Sequence, residues 1–391
     1  MTACPRETPA AMQDDSLRRA AWLPALFALG VWAYSLAVPS TPVPAATETA
    51  TETATETARE PAREPTPPDA APPSIEPTRV VTSVAARPIE LVDVDLRVAA
   101  LRGLEVAERL AEGASAGFNA AGGAPETSLP LAMQHASASR NTLRPYCGVA
   151  IAATERPDWV ERARASVEAC RDAGASAIFV PRTVGLGVRR EVGGLLPIDH
   201  ESLDLLFEGA FASGLVVVIE GPPPPSRFAP LAGNPDRALL QARPEEHFHG
   251  ARPDRGTWPT HAQLLDALEA RLARTPGPTL VLVAPGAIPV ERLRSWLARH
   301  PDLRVAIDPR APETVPLLTE HVGRVLVGSG AAVLPDGVRT RDALEPVAEL
   351  DVLTQELGAI REALAVLPEE ASRAARHEAA DAFFGAARPE D

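Results

Sequence analysis

Three acidic residues stand just past apolar runs, where a strand would end. Asp95 closes a run beginning at residue 89, Glu220 follows Leu215-Val216-Val217-Val218-Ile219, and Asp308 follows residues 304–307, with Asp93 two places before Asp95. Carboxylates converging from different strands suit general acid–base work, or a hard cation such as Mg²⁺ or Ca²⁺. Arg97 lies two residues beyond Asp95, and a guanidinium there competes with any metal for the same oxygens. The favoured reading is therefore solvated or Arg97-paired acids, with Glu220 to Arg97 as the leading pair. His247-Phe248-His249 has chelating spacing if extended. No third ligand is at hand, so a solvated or capping role is favoured. Gly113-Ala114-Ser115-Ala116-Gly117 matches the Gly-x-Ser-x-Gly elbow. That elbow needs strand, serine turn, then helix. Here a helical pattern precedes and a short strand follows, so it reads as a small-residue helix stop. Gly328-Ser329-Gly330 offers an anion-binding turn, but no basic residue adjoins it until Arg339.

Composition removes other chemistries. The chain has 391 residues, a formal net charge of −14 and 38 basic residues, all of them arginine. Without lysine there is no Schiff base, no P-loop and no carbamylated-lysine metal bridge. The acidic balance argues against nucleic acid as a partner. Of the three cysteines, Cys4, Cys147 and Cys170, the last two could pair, but small buried thiols are the favoured reading.

Residues 20–38 carry no charge, follow Arg18-Arg19, and precede a stretch with no arginine until Arg59. Nineteen uncharged, mostly apolar residues span a bilayer core of ~30 Å. The charge asymmetry puts residues 1–19 in the cytoplasm and the bulk of the chain outside it. An uncleaved anchor is favoured. A cleaved signal stays open, since Ser35-Leu36-Ala37 and Val43-Pro44-Ala45 offer cleavage-type spacing. Residues 39–85, with Thr-Glu-Thr-Ala repeats and many of the 41 prolines, read as a disordered spacer.

From residue 86 the texture is α/β. Strands are expected at 89–96, 116–120, 146–152, 177–180, 215–219, 279–283, 304–307 and 324–327. Helical patterns fill 98–112, 159–173, 200–213, 261–274, 290–300, 312–321 and much of 344–387. Apolar strands alternating with helices indicate a parallel sheet covered on both faces. Eight units match a (β/α)₈ barrel of typically ~250 residues, with an open doubly wound sheet as the alternative. The loop 221–259, with four prolines in series at 222–225 and the rings of Phe228, His247, Phe248, His249 and Trp258, is either a lid over a pocket or a surface strap.

The stretches 196–219, 258–283, Arg324-Val325-Leu326-Val327-Gly328-Ser329, and Leu367-Pro368-Glu369-Glu370 through Phe383-Phe384-Gly385 come in an order that resembles the amidohydrolase-related family of TIM-barrel hydrolases and decarboxylases. The resemblance covers roughly residues 86–387. It implies a divalent metal such as zinc. The family holds that metal with a His-any-His pair on the first strand, a lysine or equivalent on the fourth, histidines on the fifth and sixth, and a catalytic aspartate on the eighth. Those positions fall here on Asp95 and Arg97, Phe179, Glu220, Pro285 and Gly330. The expectation is a barrel without the family's metal centre and with no cofactor. It would act as a binding or scaffold module for a small molecule or protein, membrane-tethered through 20–38, with homo-oligomer formation open. The alternative is an active hydrolase of C–N, ester or lactone bonds using Asp95, Glu220 or Asp308.

Overall fold

Valine, isoleucine and leucine fill the short runs that become strands, because branched side chains pack well on a pleated surface. A computed structural model describes residues 89–385, apart from 152–155, 191–192, 253–255, 276 and 341–345. The tail 1–19, the apolar segment 20–38, the spacer 39–85 and the barrel's last residues, 386–387, lie outside the described residues. Among the described residues no helix is long and apolar enough to cross a membrane.

The order is β1 (Leu91–Val98), α1 (Gly103–Glu112), β2 (Ser115–Asn119), α2 (Leu129–Ala138), β3 (Leu143–Pro145), β4 (Cys147–Gly148), α3 (Trp159–Asp172), β5 (Ala177–Val180), α4 (Asp204–Ala212) and β6 (Val216–Glu220). Then follow α5 (Arg237–Ala242), α6 (His261–Arg274), β7 (Thr279–Leu282), α7 (Val290–Arg299), β8 (Leu303–Ile307), α8 (Val315–Glu320) and β9 (Val325–Val327). A hairpin β10 (Ala332–Leu334) and β11 (Gly337–Arg339) precedes α9 (Asp351–Ala365), α10 (Glu369–Arg373) and α11 (Ala379–Gly385).

Two ladders make the barrel, ordered β11-β10-β1-β2-β3 and β4-β5-β6-β7-β8-β9. Every pairing is parallel except the β10–β11 hairpin. Only Tyr146 separates β3 from β4, so one segment pairs with β2 on one side and β5 on the other. The opposite seam is closed from the chain beyond β9. Ser329 N donates to Asp93 Oδ1 (3.0 Å), Gly330 N to the Asp95 carbonyl (3.0 Å) and Arg97 N to the Ala331 carbonyl (3.0 Å). The eight expected strands are all present. The third is shorter and earlier than residues 146–152: it runs as Leu143–Pro145 and Cys147–Gly148. Helix α2 and the β10–β11 hairpin are additions to the sequence reading.

Alternation sorts the side chains. Val217, Ile219, Val281, Val305 and Val327 face the surrounding helices, while Val216, Val218, Leu280, Ala306 and Leu326 face the barrel axis. Few of the chain's rings are needed to fill that interior. Phe118 stacks on Phe384 (4.1 Å between centroids) and Tyr146 (5.4 Å), and Tyr146 stacks on Phe179 (6.3 Å). Phe383 and Phe384 come from α11, and Phe383 meets Arg304, which sits at the start of β8. The closing helix thus plugs the amino-terminal end of the barrel and leaves the carboxyl-terminal mouth free.

The cysteine reading is corrected. Cys147 on β4 and Cys170 on α3 form a disulfide, with Cα atoms 5.8 Å apart. A crossover helix packs back onto the strand it left, which places Cys170 over Cys147 in a way that spacing alone does not reveal. Closing a loop of this length is worth about 3 kcal/mol in the chain-entropy account.

Truncating Phe384 to alanine empties the plug, and should cost about 3–5 kcal/mol in urea unfolding. A loss under about 1 kcal/mol would mean that α11 lies on the barrel without filling it.

Candidate functional site

The mouth is aimed by an irregularity in β1. Pairing with β2 shifts register between Asp93 and Leu96, as at a β-bulge, and such shifts re-aim side chains. Val92 and Val94 face the axis, Leu96 and Val98 face outward, and the shift brings Asp95 and Arg97 inward. Glu220 follows Val216 and Val218 on the inward side of β6, so Arg97 and Glu220 meet across the barrel.

Arg97 Nη2 lies 2.6 Å from Glu220 Oε1 and 3.7 Å from Asp95 Oδ1. Arg182, just past β5, places Nε 3.3 Å from Glu220 Oε1 and donates its backbone N–H to Oε2 at 3.0 Å. Burial alone would raise the Glu220 carboxyl, but the charges of Arg97 and Arg182 outweigh it and hold the group below the usual range. Burial opposes the charge on Arg97 as well, and Glu220 and Asp95 more than restore it.

Asp308 belongs to a different pair. Its Oδ1 accepts from Arg310 N (2.9 Å) and Nε (2.9 Å), its Oδ2 from Nη2 (2.7 Å), and Arg310 continues to Glu356 on α9. The structure therefore brings Asp95 and Glu220 to one guanidinium and gives Asp308 to another. Phe179 is half-buried against Tyr146. Pro285 is half-buried after β7, and Gly330, at φ 65°, serves the seam. Among the described residues no group of three His, Cys, Asp or Glu side chains could hold a metal ion.

Asp93 faces away from Arg97. It is fully buried, and its Oδ1 accepts from the backbones of Asp95 and Ser329, each at 3.0 Å. Burial pushes its carboxyl up to about 6, and the hydrogen bonds from Ser329 and Asp95 offset this only in part. Ser115 starts β2 at the opposite end of the barrel and bonds to Arg361 on α9, so it makes no nucleophile elbow. Gly328-Ser329-Gly330 closes the seam.

The loop 221–259 is a strap packed by its own rings. Phe248 lies 5.5 Å from Phe228 and edge-on to Trp258 at 5.1 Å, and Arg252 covers Trp258. The His247 and His249 rings donate to the carbonyls of Ala229 (2.9 Å) and Phe228 (3.1 Å), the capping role expected of them. Under the strap, against α6, lies a cavity of about 440 Å³ whose lining includes Arg182, Ile198, Glu220, Arg252, Trp258 and Leu268. Its size suits a small molecule, with mostly apolar walls and a few charged groups. Sequence reasoning missed Arg182, although an arginine directly after a strand end was a usable signal.

No family model matches the sequence, and no curated protein matches it. Among solved structures the chain is similar in fold to the following proteins. One is a putative amidohydrolase from Staphylococcus aureus (12% identity, 75% of this chain and 99% of that one, TM-score 0.46). Another is the 5-carboxyvanillate decarboxylase of Sphingomonas paucimobilis (14%, 76% and 99%, 0.46). A third is an uncharacterised TIM-barrel protein of Bordetella bronchiseptica (14%, 76% and 99%, 0.43). The barrel itself is read from the closed strand ladder.

Asp93 sets a pH dependence of stability. Between the ordinary carboxyl value of 3.8 and about 6 the folded chain binds more protons than the unfolded one, so stability falls as pH rises through that window. The loss amounts to up to about 3 kcal/mol. Asp93→Asn should remove this component from the difference between wild-type and variant unfolding curves. Parallel pH profiles in urea would refute it.

Proposed function

We propose that this chain is a binding barrel whose metal centre has been replaced by an ion-pair network, held outside the cytoplasm by residues 20–38 and the spacer 39–85. The observation that carries the reading is Arg97 held 2.6 Å from Glu220 and 3.7 Å from Asp95. A guanidinium stands where the family resemblance implies a metal. Phe179, Pro285 and Gly330 supply no donor side chain, so the residues present do not fit a divalent cation. A metal would first have to displace Arg97 from a buried pair, and breaking such a pair costs about 3–5 kcal/mol.

The same pairing argues against the hydrolase reading. A carboxylate held below its usual range by two arginines is a weak base, and a general base works best when its pKa lies near the operating pH. Asp308 is spent on Arg310. The cavity under the strap supports recognition of a small molecule with an apolar body. The Cys147–Cys170 disulfide supports an oxidising compartment, in line with export.

Metal analysis of the purified full chain after exposure to zinc and manganese tests the core of this reading. Metal far below one ion per chain is expected, and a stoichiometric, tightly held ion at the mouth overturns it. The tether is tested by sequencing the N-terminus from the membrane fraction. An N-terminus upstream of residue 20 supports the anchor, and a start just past Ala37 or Ala45 replaces it with a cleaved signal.

A further inference from the structure

The cavity under the strap has an apolar length and one charged end. Its walls come from three elements. Leu264 and Leu268 line it from α6, Val184 and Leu186 from the turn after β5, and Ile219 from the outward side of β6. These walls are tied together without any ligand. Arg271, fully buried on α6, donates Nε to the Ile198 carbonyl (2.8 Å) and Nη2 to that of His200 (2.7 Å), and pairs with Asp204. Gly185, at φ 98°, brings the turn so close to α6 that a Cβ there would lie 3.1 Å from Leu264. A cavity held open in this way lowers the ordering cost of binding.

The charged end is Arg182 with Glu220. Glu220 is already shared, Oε1 taking Arg97 Nη2 and Oε2 the Arg182 backbone N–H. The Arg182 guanidinium only approaches Glu220, through Nε at 3.3 Å, and it donates no side-chain hydrogen bond among the described residues. Its Nη groups remain as donors, and such a fork fits a carboxylate bidentately. Among the described lining residues two carry guanidinium, Arg182 and Arg252, and one carries carboxylate, Glu220. A cationic head would meet repulsion there. The body is decided by shape. Trp258 is the only aromatic ring in the described lining, and Arg252 (5.4 Å) and Phe248 (5.1 Å) already pack on it. Aliphatic side chains along the rest suit a saturated body better than a stacked flat one. We propose that the cavity binds a small aliphatic carboxylate, its head on Arg182 and its chain between Ile219, Leu264 and Leu268. The volume of about 440 Å³ takes a drug-sized molecule, so the ligand is a free acid and not a two-chain membrane lipid. The inference rests on the binding-barrel reading and names the ligand class for it.

The test is calorimetric titration of the full chain in detergent with sodium hexanoate at pH 7, a probe short enough to stay mostly in water, with detergent alone as baseline. Saturable one-to-one binding is expected, with a higher melting temperature. Ala267→Trp, which fills the cavity from α6, should abolish it. Hexylammonium and benzoate should each bind at least about tenfold more weakly than hexanoate. Arg182→Gln should weaken hexanoate at least about tenfold and leave neutral hexanol within about twofold. If Arg182→Gln does not fold, hexanoate against hexylammonium on the unaltered chain carries the test. Glu191 and Asp254 lie outside the described residues, near Gly194 and Arg252 in the sequence. Glu191→Gln and Asp254→Asn should leave hexanoate binding within about twofold. A gain of about tenfold in either means that an acid of the chain already holds the arginine, and overturns the proposal. It is equally overturned by no saturable hexanoate binding, by equal binding of hexylammonium or benzoate, or by full affinity in Ala267→Trp. The two readings fail separately. A stoichiometric metal with Arg182-dependent hexanoate binding removes only the metal-free reading, and a metal-free barrel that takes no hexanoate removes only this one.

Discussion

The Arg97–Glu220 ion pair spans the barrel, from the first strand to one nearly opposite, and the rest of the mouth is arranged around it. Arg97 faces the axis only because β1 changes register before it. That change is pinned on one side by Asn119, which accepts from Val98 N and donates to Val98 O. On the other side it is pinned by Asp93 and the backbone of Ser329 and Gly330. Glu220 tolerates burial because Arg97 and, from just past the neighbouring strand, Arg182 hold it. The bulge, the seam and the pair therefore form one construction. A change in any of them unbalances Glu220, the most deeply buried charge of the three.

Every cation here is arginine, and that choice suits the site. A guanidinium keeps its charge when buried, whereas an ammonium would lose its proton more readily. The mouth thus keeps fixed charges at all physiological pH values, and its titrating element, Asp93, sits behind it in the seam. Rings from β2, the β3–β4 junction, β5 and α11 occupy the axis, so any ligand must enter at the mouth or beneath the strap.

The barrel was legible because its strands are apolar throughout and its helices amphipathic, a period contrast that survives without any knowledge of contacts. Helix α2 escaped because its buried stripe is only Leu129, Ala132 and Ala136, small residues that give little periodic contrast. The β10–β11 turn carried a signal that went unread, Pro335-Asp336-Gly337. In the site, Arg97 with Glu220 was readable as opposite charges at two strand ends, but their facing each other was not. The bulge that turns Arg97 inward left no mark in the sequence, since a register shift is a property of two strands. The buried Arg227 and Arg243 both lie in the loop 221–259 and meet at Glu246, and no local pattern marks them as neighbours.

The closing helix has a consequence for how the chain comes together. Two of the rings that fill the barrel's axis, Phe383 and Phe384, belong to its last described helix, while the strands they seal begin near residue 91. In vectorial synthesis or export, almost the entire sheet must emerge before Phe384 arrives, and until then the inner faces of the strands stay wet. An arrangement of this kind delays final compaction.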